Sequence, residues 1–190
     1  MKRYLPLALV TAVLLSTGCF SAAQLGMPSN YAKSPVFETK ALWRTAVLPP
    51  TGAIPGLSQG QGIYDYAGMA LLRTGRFTVV DRSAVDQILR EQEFSYSGVV
   101  DQATAVQLGR LLGAEAVMMV SITSVFHDEF WSDTPEQRDA ELHVKIISVE
   151  TSEILYTAVG QGSDFDGAEG ALRSALEMAL MGIRNQGGIQ

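Results

Sequence analysis

The chain has 190 residues, 47% of them hydrophobic and 18% charged, with a formal net charge of -6. A mean hydropathy of +0.14 together with seven Phe, six Tyr and two Trp excludes a disordered chain, and the acidic balance argues against nucleic acid or anionic lipid bound through the protein surface. One cysteine excludes a disulfide framework and any multi-Cys zinc or iron–sulfur site, and two histidines, His127 and His143, leave little material for a catalytic or metal centre.

Met1-Lys2-Arg3 is a positive start, followed by an apolar run from Leu5 to Leu15 that only Pro6 and Thr11 interrupt. As a helix this run would rise about 16 Å, short of the ~30 Å hydrocarbon core. With the small residues Ser16-Thr17-Gly18 behind it, it reads as a signal peptide over residues 1–18. Leu15-Ser16-Thr17-Gly18-Cys19 resembles a bacterial lipobox, in which the cysteine becomes the acylated first residue, although Ser16 stands where a large aliphatic is usual. The competing reading is cleavage after Ser21-Ala22-Ala23, which would discard Cys19. Each buried CH₂ of an acyl chain contributes about 0.8 kcal/mol, so a lipid on Cys19 suffices as the membrane anchor. Phe20 follows the cysteine instead of the Asp that favours inner-membrane retention, and the resemblance then implies the periplasmic face of the outer membrane. No later stretch approaches ~20 consecutive apolar residues, so a soluble mature body of 172 residues is expected, carrying 12 basic and 20 acidic side chains.

Residues 19–40 are Ser, Ala, Gly, Pro and Lys without sustained periodicity and read as a flexible tether, with the folded domain over 41–184 and a frayed tail over 185–190. Trp43 to Leu48 is a strand that Pro49-Pro50 ends. Ile63, Ala67, Ala70 and Leu71 recur at helical spacing up to Gly75, and Phe77 to Val80 is a second strand. Ser83 is expected to cap a helix carrying Val85, Ile88 and Leu89; Asp101 caps another, with Ala105, Leu108 and Leu112 as its stripe. Ala116 to Phe126 is a central strand, and Leu142, Val144 and Ile146 alternate with polar residues in a half-exposed one. A turn at Glu150–Glu153 leads into a strand from Ile154 to Val159; Asp166, with Glu169, then caps a last helix striped by Ala168, Leu172, Ala175, Leu176, Ala179, Leu180 and Ile183. The order β-α-β-α-α-β-β-β-α predicts one α/β domain with a mixed, mostly five-stranded sheet covered by helices.

Chemistry is sparse. Residues 127–141 hold six acids but lack the D-x-[DN]-x-[DN]-G framework of a calcium loop, so they read as a solvated connection. His143 reads as an ordinary exposed histidine. Gly60-Gln61-Gly62 completes neither a dinucleotide nor a P-loop motif, no Gly-x-Ser-x-Gly occurs, and neither a metal nor a cofactor beyond the lipid on Cys19 is expected. No enzyme is expected. Aromatics on polar connections can anchor a partner, which makes Phe94, Tyr96, Phe126, Phe130 and Trp131 candidate partner-binding residues.

Ala46-Val47-Leu48-Pro49, Gly75-Arg76-Phe77-Thr78-Val79-Val80-Asp81-Arg82, the run Val85 to Leu89 with Glu91-Gln92, and Ser97-Gly98 resemble the curli-secretion (CsgG-like) lipoprotein family. So do Leu108-Gly109 with Leu111-Leu112-Gly113-Ala114-Glu115-Ala116-Val117, and Ser148-Val149-Glu150-Thr151 with Glu153-Ile154-Leu155. The match runs over roughly residues 44–183. It implies a periplasmic α/β domain that self-associates side by side at the outer membrane. Channel-forming members insert β-hairpins at places that correspond here to Phe126–Asp139 and Gly160–Gly167, both shorter than the ~20 residues plus a turn that a spanning hairpin needs. The expected role is therefore a non-catalytic scaffold or ring component in a curli-like export or envelope-assembly system, with envelope or secretion proteins as partners, and not a pore by itself. A second resemblance, to LpoB-like activators of peptidoglycan synthases, rests on the Gly-Arg-Phe-Thr-Val strand, the Gly-Ala-Glu turn and the terminal hairpin. It implies the alternative of a monomeric activator docking on an envelope enzyme.

Overall fold

A computed structural model describes residues 30–52, 61–91, 101–127, 138–165 and 167–184. Its elements in chain order are β1 (Tyr31–Lys33), a 3-10 turn (Pro35–Thr39), β2 (Trp43–Val47), α1 (Gln61–Arg73), β3 (Phe77–Val79), α2 (Arg82–Glu91), α3 (Gln102–Leu111), β4 (Ala116–His127), β5 (Arg138–Ser148), β6 (Ile154–Asp164) and α4 (Ala168–Arg184). The sheet is open and mixed, in the order β1-β6-β5-β4-β2-β3. β2 runs parallel to β3 and β4, whereas β4, β5, β6 and β1 alternate in direction. The α/β architecture and helix order agree with the sequence expectation, with six strands in place of five.

Period-two alternation divides the sheet residues between two cores. Val47, Met118, Val120, Leu142, Val144 and Ile146 face α1 and α4 and form the larger core with Ile63, Leu71, Leu172, Leu176 and Leu180. Ala46, Leu48 and Val117 point the other way and pack with Val85 and Leu89 of α2 and Ala105 and Leu108 of α3. The connections explain the split: β2–α1–β3 steps outward along the sheet and β3–α2–α3–β4 steps back across β2, so right-handed crossovers lay their helices on opposite faces.

The expected tether ends earlier than residue 40. Tyr31–Lys33 pairs antiparallel with Tyr156–Ala158, and Phe37, 1% exposed, enters the larger core beside Trp43, Phe77 and Tyr156. Ser34 accepts from the Val36 N–H and Pro35 opens the 3-10 turn, so the polar, proline-containing composition reports a tight turn onto the core. β6 is likewise longer than expected, because Gly160 and Gly162 lie inside it and not in a connection. A Cβ at Gly160 would fall 1.9 Å from the Ala175 carbonyl oxygen and one at Gly162 would fall 2.2 Å from the Ala175 nitrogen. The glycines let α4, with Ala171, Ala175 and Ala179 beneath it, sit directly on the strand.

One helix start differs in detail. Asp81, not Ser83, stands before α2, and its Oδ1 accepts from the Ser83 N–H at 2.8 Å. Asp101 caps α3 as expected, accepting from the Thr104 N–H at 2.7 Å. Asp166 lies outside the described residues, and Glu169 pairs with Arg173 one turn along α4. Among the described residues no helix is long and apolar enough to cross a membrane.

Candidate functional site

Cys19, Phe94, Tyr96, Phe130 and Trp131 lie outside the described residues, as do the leader over 1–18 and the tail over 185–190. Phe126 lies in β4 opposite Asp139, so that position is a rung of the ladder and not part of a connection. His127 follows it opposite Arg138, which leaves residues 128–137 between the two strands.

His143 differs from the exposed histidine expected. It is half-buried on the face of β5 away from α4, and its Nε2 lies 2.8 Å from Thr157 Oγ1 across the ladder. Burial and the nearby Lys145 charge both lower its pKa, so the neutral ring is favoured at pH 7. Among the described residues no three His, Cys, Asp or Glu side chains gather as metal ligands.

The titratable groups that depart from ordinary behaviour do so for structural reasons. Asp81 and Asp101 are lowered mainly by the hydrogen bonds they accept from Ser83 and Thr104. Glu115 is lowered by Lys40, whose Nζ sits 2.7 Å away, and by the Arg44 N–H at 3.1 Å. It thus ties the turn before β4 to the start of β2. Burial works to raise Glu38, but hydrogen bonds from Arg76 and Lys33 outweigh it and the net shift is downward. Tyr156 is pushed up by burial, and its hydroxyl donates to the Ala179 carbonyl in α4.

The densest polar cluster joins α1 to α4. Glu177 accepts from the Tyr66 hydroxyl at 2.6 Å, lies 3.7 Å from Arg73 and pairs with Arg184. The Tyr66 ring lies between two guanidinium groups, Arg73 at 5.8 Å and Arg173 at 5.3 Å from its centroid. Burial and Glu177 raise the Tyr66 pKa, so it stays a donor, and Glu177 is held ionised by its partners against the opposing effect of burial. Every group in this cluster is engaged by another protein group, which suits helix docking and not proton transfer to a substrate.

Several large apolar side chains remain exposed on the two helices of the larger core. Met69 and Leu72 on α1, and Met178 and Met181 on α4, are 43%, 52%, 42% and 50% exposed. Periodicity in the sequence places these four positions beside the core stripes, but it does not tell that their flanks stay open; only the strand order, with α1 over one end of the sheet and α4 over the other, does so.

Residues 37–128 match the family model described as the curli production assembly/transport component CsgG. The match starts at Phe37, the buried anchor of the 3-10 turn, and runs to the end of β4. None of the curated proteins matches the chain. Among solved structures, a PelC dodecamer from Paraburkholderia phytofirmans superposes with a TM-score of 0.51 at 12% identity, over 81% of this chain and 94% of that one. Lipoprotein GNA1162 from Neisseria meningitidis gives 0.52 at 14% identity, over 75% and 96%. The LpoB C-terminal domain from Escherichia coli gives 0.48 at 17% identity, over 64% and 83%, a likeness that carries no weight for a role. At these identities the structural likenesses establish a fold and nothing finer. On the family match over residues 37–128, supported by that fold, the chain resembles the CsgG-like lipoprotein family.

Proposed function

We propose that this protein is an envelope lipoprotein, held on the periplasmic face of the outer membrane by a lipid on Cys19, that acts as a self-associating, non-catalytic scaffold in an export or envelope-assembly system. The observation that carries the reading is the match to the curli production assembly/transport component over residues 37–128. The dodecameric state of PelC, a protein of the same fold, supports self-association. The polar groups of the described residues support a non-catalytic role, since each shifted carboxyl or phenol is tied to a structural partner.

The lengths of the connections favour a scaffold over a pore. β4 and β5 pair as far as His127 and Arg138, so the ten residues 128–137 are all that lie between them. β6 ends at Asp164 and α4 begins at Ala168. A hairpin that spans a bilayer needs about 20 residues and a turn.

Two measurements test the reading. Cys19→Ala should abolish palmitate labelling and release the protein from membranes; unchanged labelling refutes the anchor. The mass of the detergent-extracted lipoprotein at micromolar concentration should exceed that of one chain, and a monomer there refutes the self-associating scaffold.

A further inference from the structure

We propose that copies of this chain join head to tail: the free edge of β6, flanked by α4, receives the free edge of β3 and the flank of α1 from the next copy. This rests on the self-associating reading above and gives it a surface.

The strand order sets β3 and β6 at opposite ends of one sheet, with β1 covering β6 only in part. The last rung on that side joins Asn30 to Val159, whose N–H reaches the Asn30 carbonyl at 2.8 Å. The Asn30 side-chain amide caps the Val159 carbonyl at 2.6 Å. In this register the even-numbered residues of β1 exchange backbone bonds with β6, as Ser34 also does with Leu155. Among the described residues, the outward backbone groups of Gln161 and Ser163 have no partner strand.

The other end is its counterpart. β3 gives β2 the Arg76 carbonyl and the Val80 N–H, each at 2.9 Å. The outward groups in between belong to Phe77 and Val79, and among the described residues no strand meets them. Each end thus offers a ladder of two residues, the feature that makes a sheet edge a template for another chain.

The helices above the edges match as well. α1 and α4 lie on the same face of the sheet and already pack side by side within one chain through Tyr66 and Glu177. On the flank away from α4, α1 turns Gly68 toward Val79 of β3, with the exposed Leu72 one turn on. On the flank away from α1, α4 turns Gly182 onto Tyr31 of β1, with the exposed Met178 one turn before it. Joining β6 to β3 of the next copy would set Met178 against Leu72. The two patches are unlike and lie at opposite ends of one molecule, so the contact is heterologous and generates a ring or an open row, not a closed pair. A short ladder and two apolar side chains are small beside the roughly 800 Å² per partner of a stable interface. Each contact is therefore weak alone and is reinforced by two contacts per copy and by confinement of anchored copies to one surface.

Cysteine crosslinking of the full, detergent-extracted lipoprotein tests this, with the parent chain as control. Gln161→Cys combined with Thr78→Cys, two exposed positions on the sheet face away from α1 and α4, should give an oxidised ladder of dimers, trimers and longer species, and neither single variant should. Adding Met178→Glu should abolish the ladder. A dimer from a single variant would overturn the head-to-tail contact, as would multimers by mass that leave the double variant uncrosslinked; self-association would stand in both cases. A monomer by mass at every concentration would overturn the self-associating reading itself.

Discussion

The Tyr66 hydroxyl donates to Glu177 Oε1 at 2.6 Å and so fastens α1 to α4 across the top of the larger core. The two residues are 111 positions apart, and Arg73 and Arg184 approach the same carboxylate. Burial alone would raise the Glu177 pKa, but these partners lower it below the ordinary glutamate range. A carboxyl lowered on folding binds protons less readily than in the unfolded chain. Its contribution is complete above the unfolded value of about 4.3 and is lost as pH falls through the folded one. Glu177→Gln should therefore cost about 1 kcal/mol at pH 7 and flatten the loss of stability below about pH 4.3, as read by urea unfolding at several pH values. Tyr66→Phe should cost about 1 kcal/mol while Glu177 keeps its arginine partners.

The contact between β6 and α4 makes a sharper prediction. At Gly160 a methyl group would overlap the Ala175 carbonyl, which is helix backbone and cannot swing aside. Gly160→Ala should destabilise by about 3 kcal/mol, the upper end for overpacking. Ser163→Ala, in the same strand but exposed, should change stability by less than about 0.5 kcal/mol. Thermal melts of the two variants compare them directly.

Phe37→Ala should cost about 3–5 kcal/mol in chemical denaturation, because its ring stacks on Trp43 and touches Phe77 and Tyr156 inside the core. Val36→Ala, next to it and exposed, should be near neutral. Equal small effects would return this segment to the status of a tether.

Phe37 also shows where the sequence stops being informative. Long periodic signals were legible: the apolar run of β4, the alternation of Leu142, Val144 and Ile146, and six of the seven stripe residues of α4 appear where periodicity puts them, Ala168 in the first turn being only half-buried. β1 was not, since three residues carry no period and a single buried ring among Ser, Pro and Lys looks like a loop. Gly160 and Gly162 misled in the opposite direction. Glycine signals a turn when only neighbours in sequence are considered, yet here it marks the close approach of a helix that follows in the chain. The exposed flanks of α1 and α4 were hidden for a related reason: amphipathicity says which stripe is buried, and only the strand order says which flank is left open.

The β4–β5 connection leads to a prediction about membranes. His127 pairs with Arg138, so a hairpin inserted from residues 128–137 would have about five residues per strand, against the ~9–11 needed to cross. Extending it by unzipping β4 and β5 would expose Ala140 and Leu142, which belong to the larger core, and would break the rungs Val125–Ala140 and Ile122–Leu142. Unpaired strand backbone in hydrocarbon costs several kcal/mol per group, so the exchange is unfavourable. The purified lipoprotein should therefore leave planar bilayers non-conducting at concentrations where it associates. Discrete ion channels formed by this polypeptide alone would show that it inserts by a route the β4–β5 ladder does not allow.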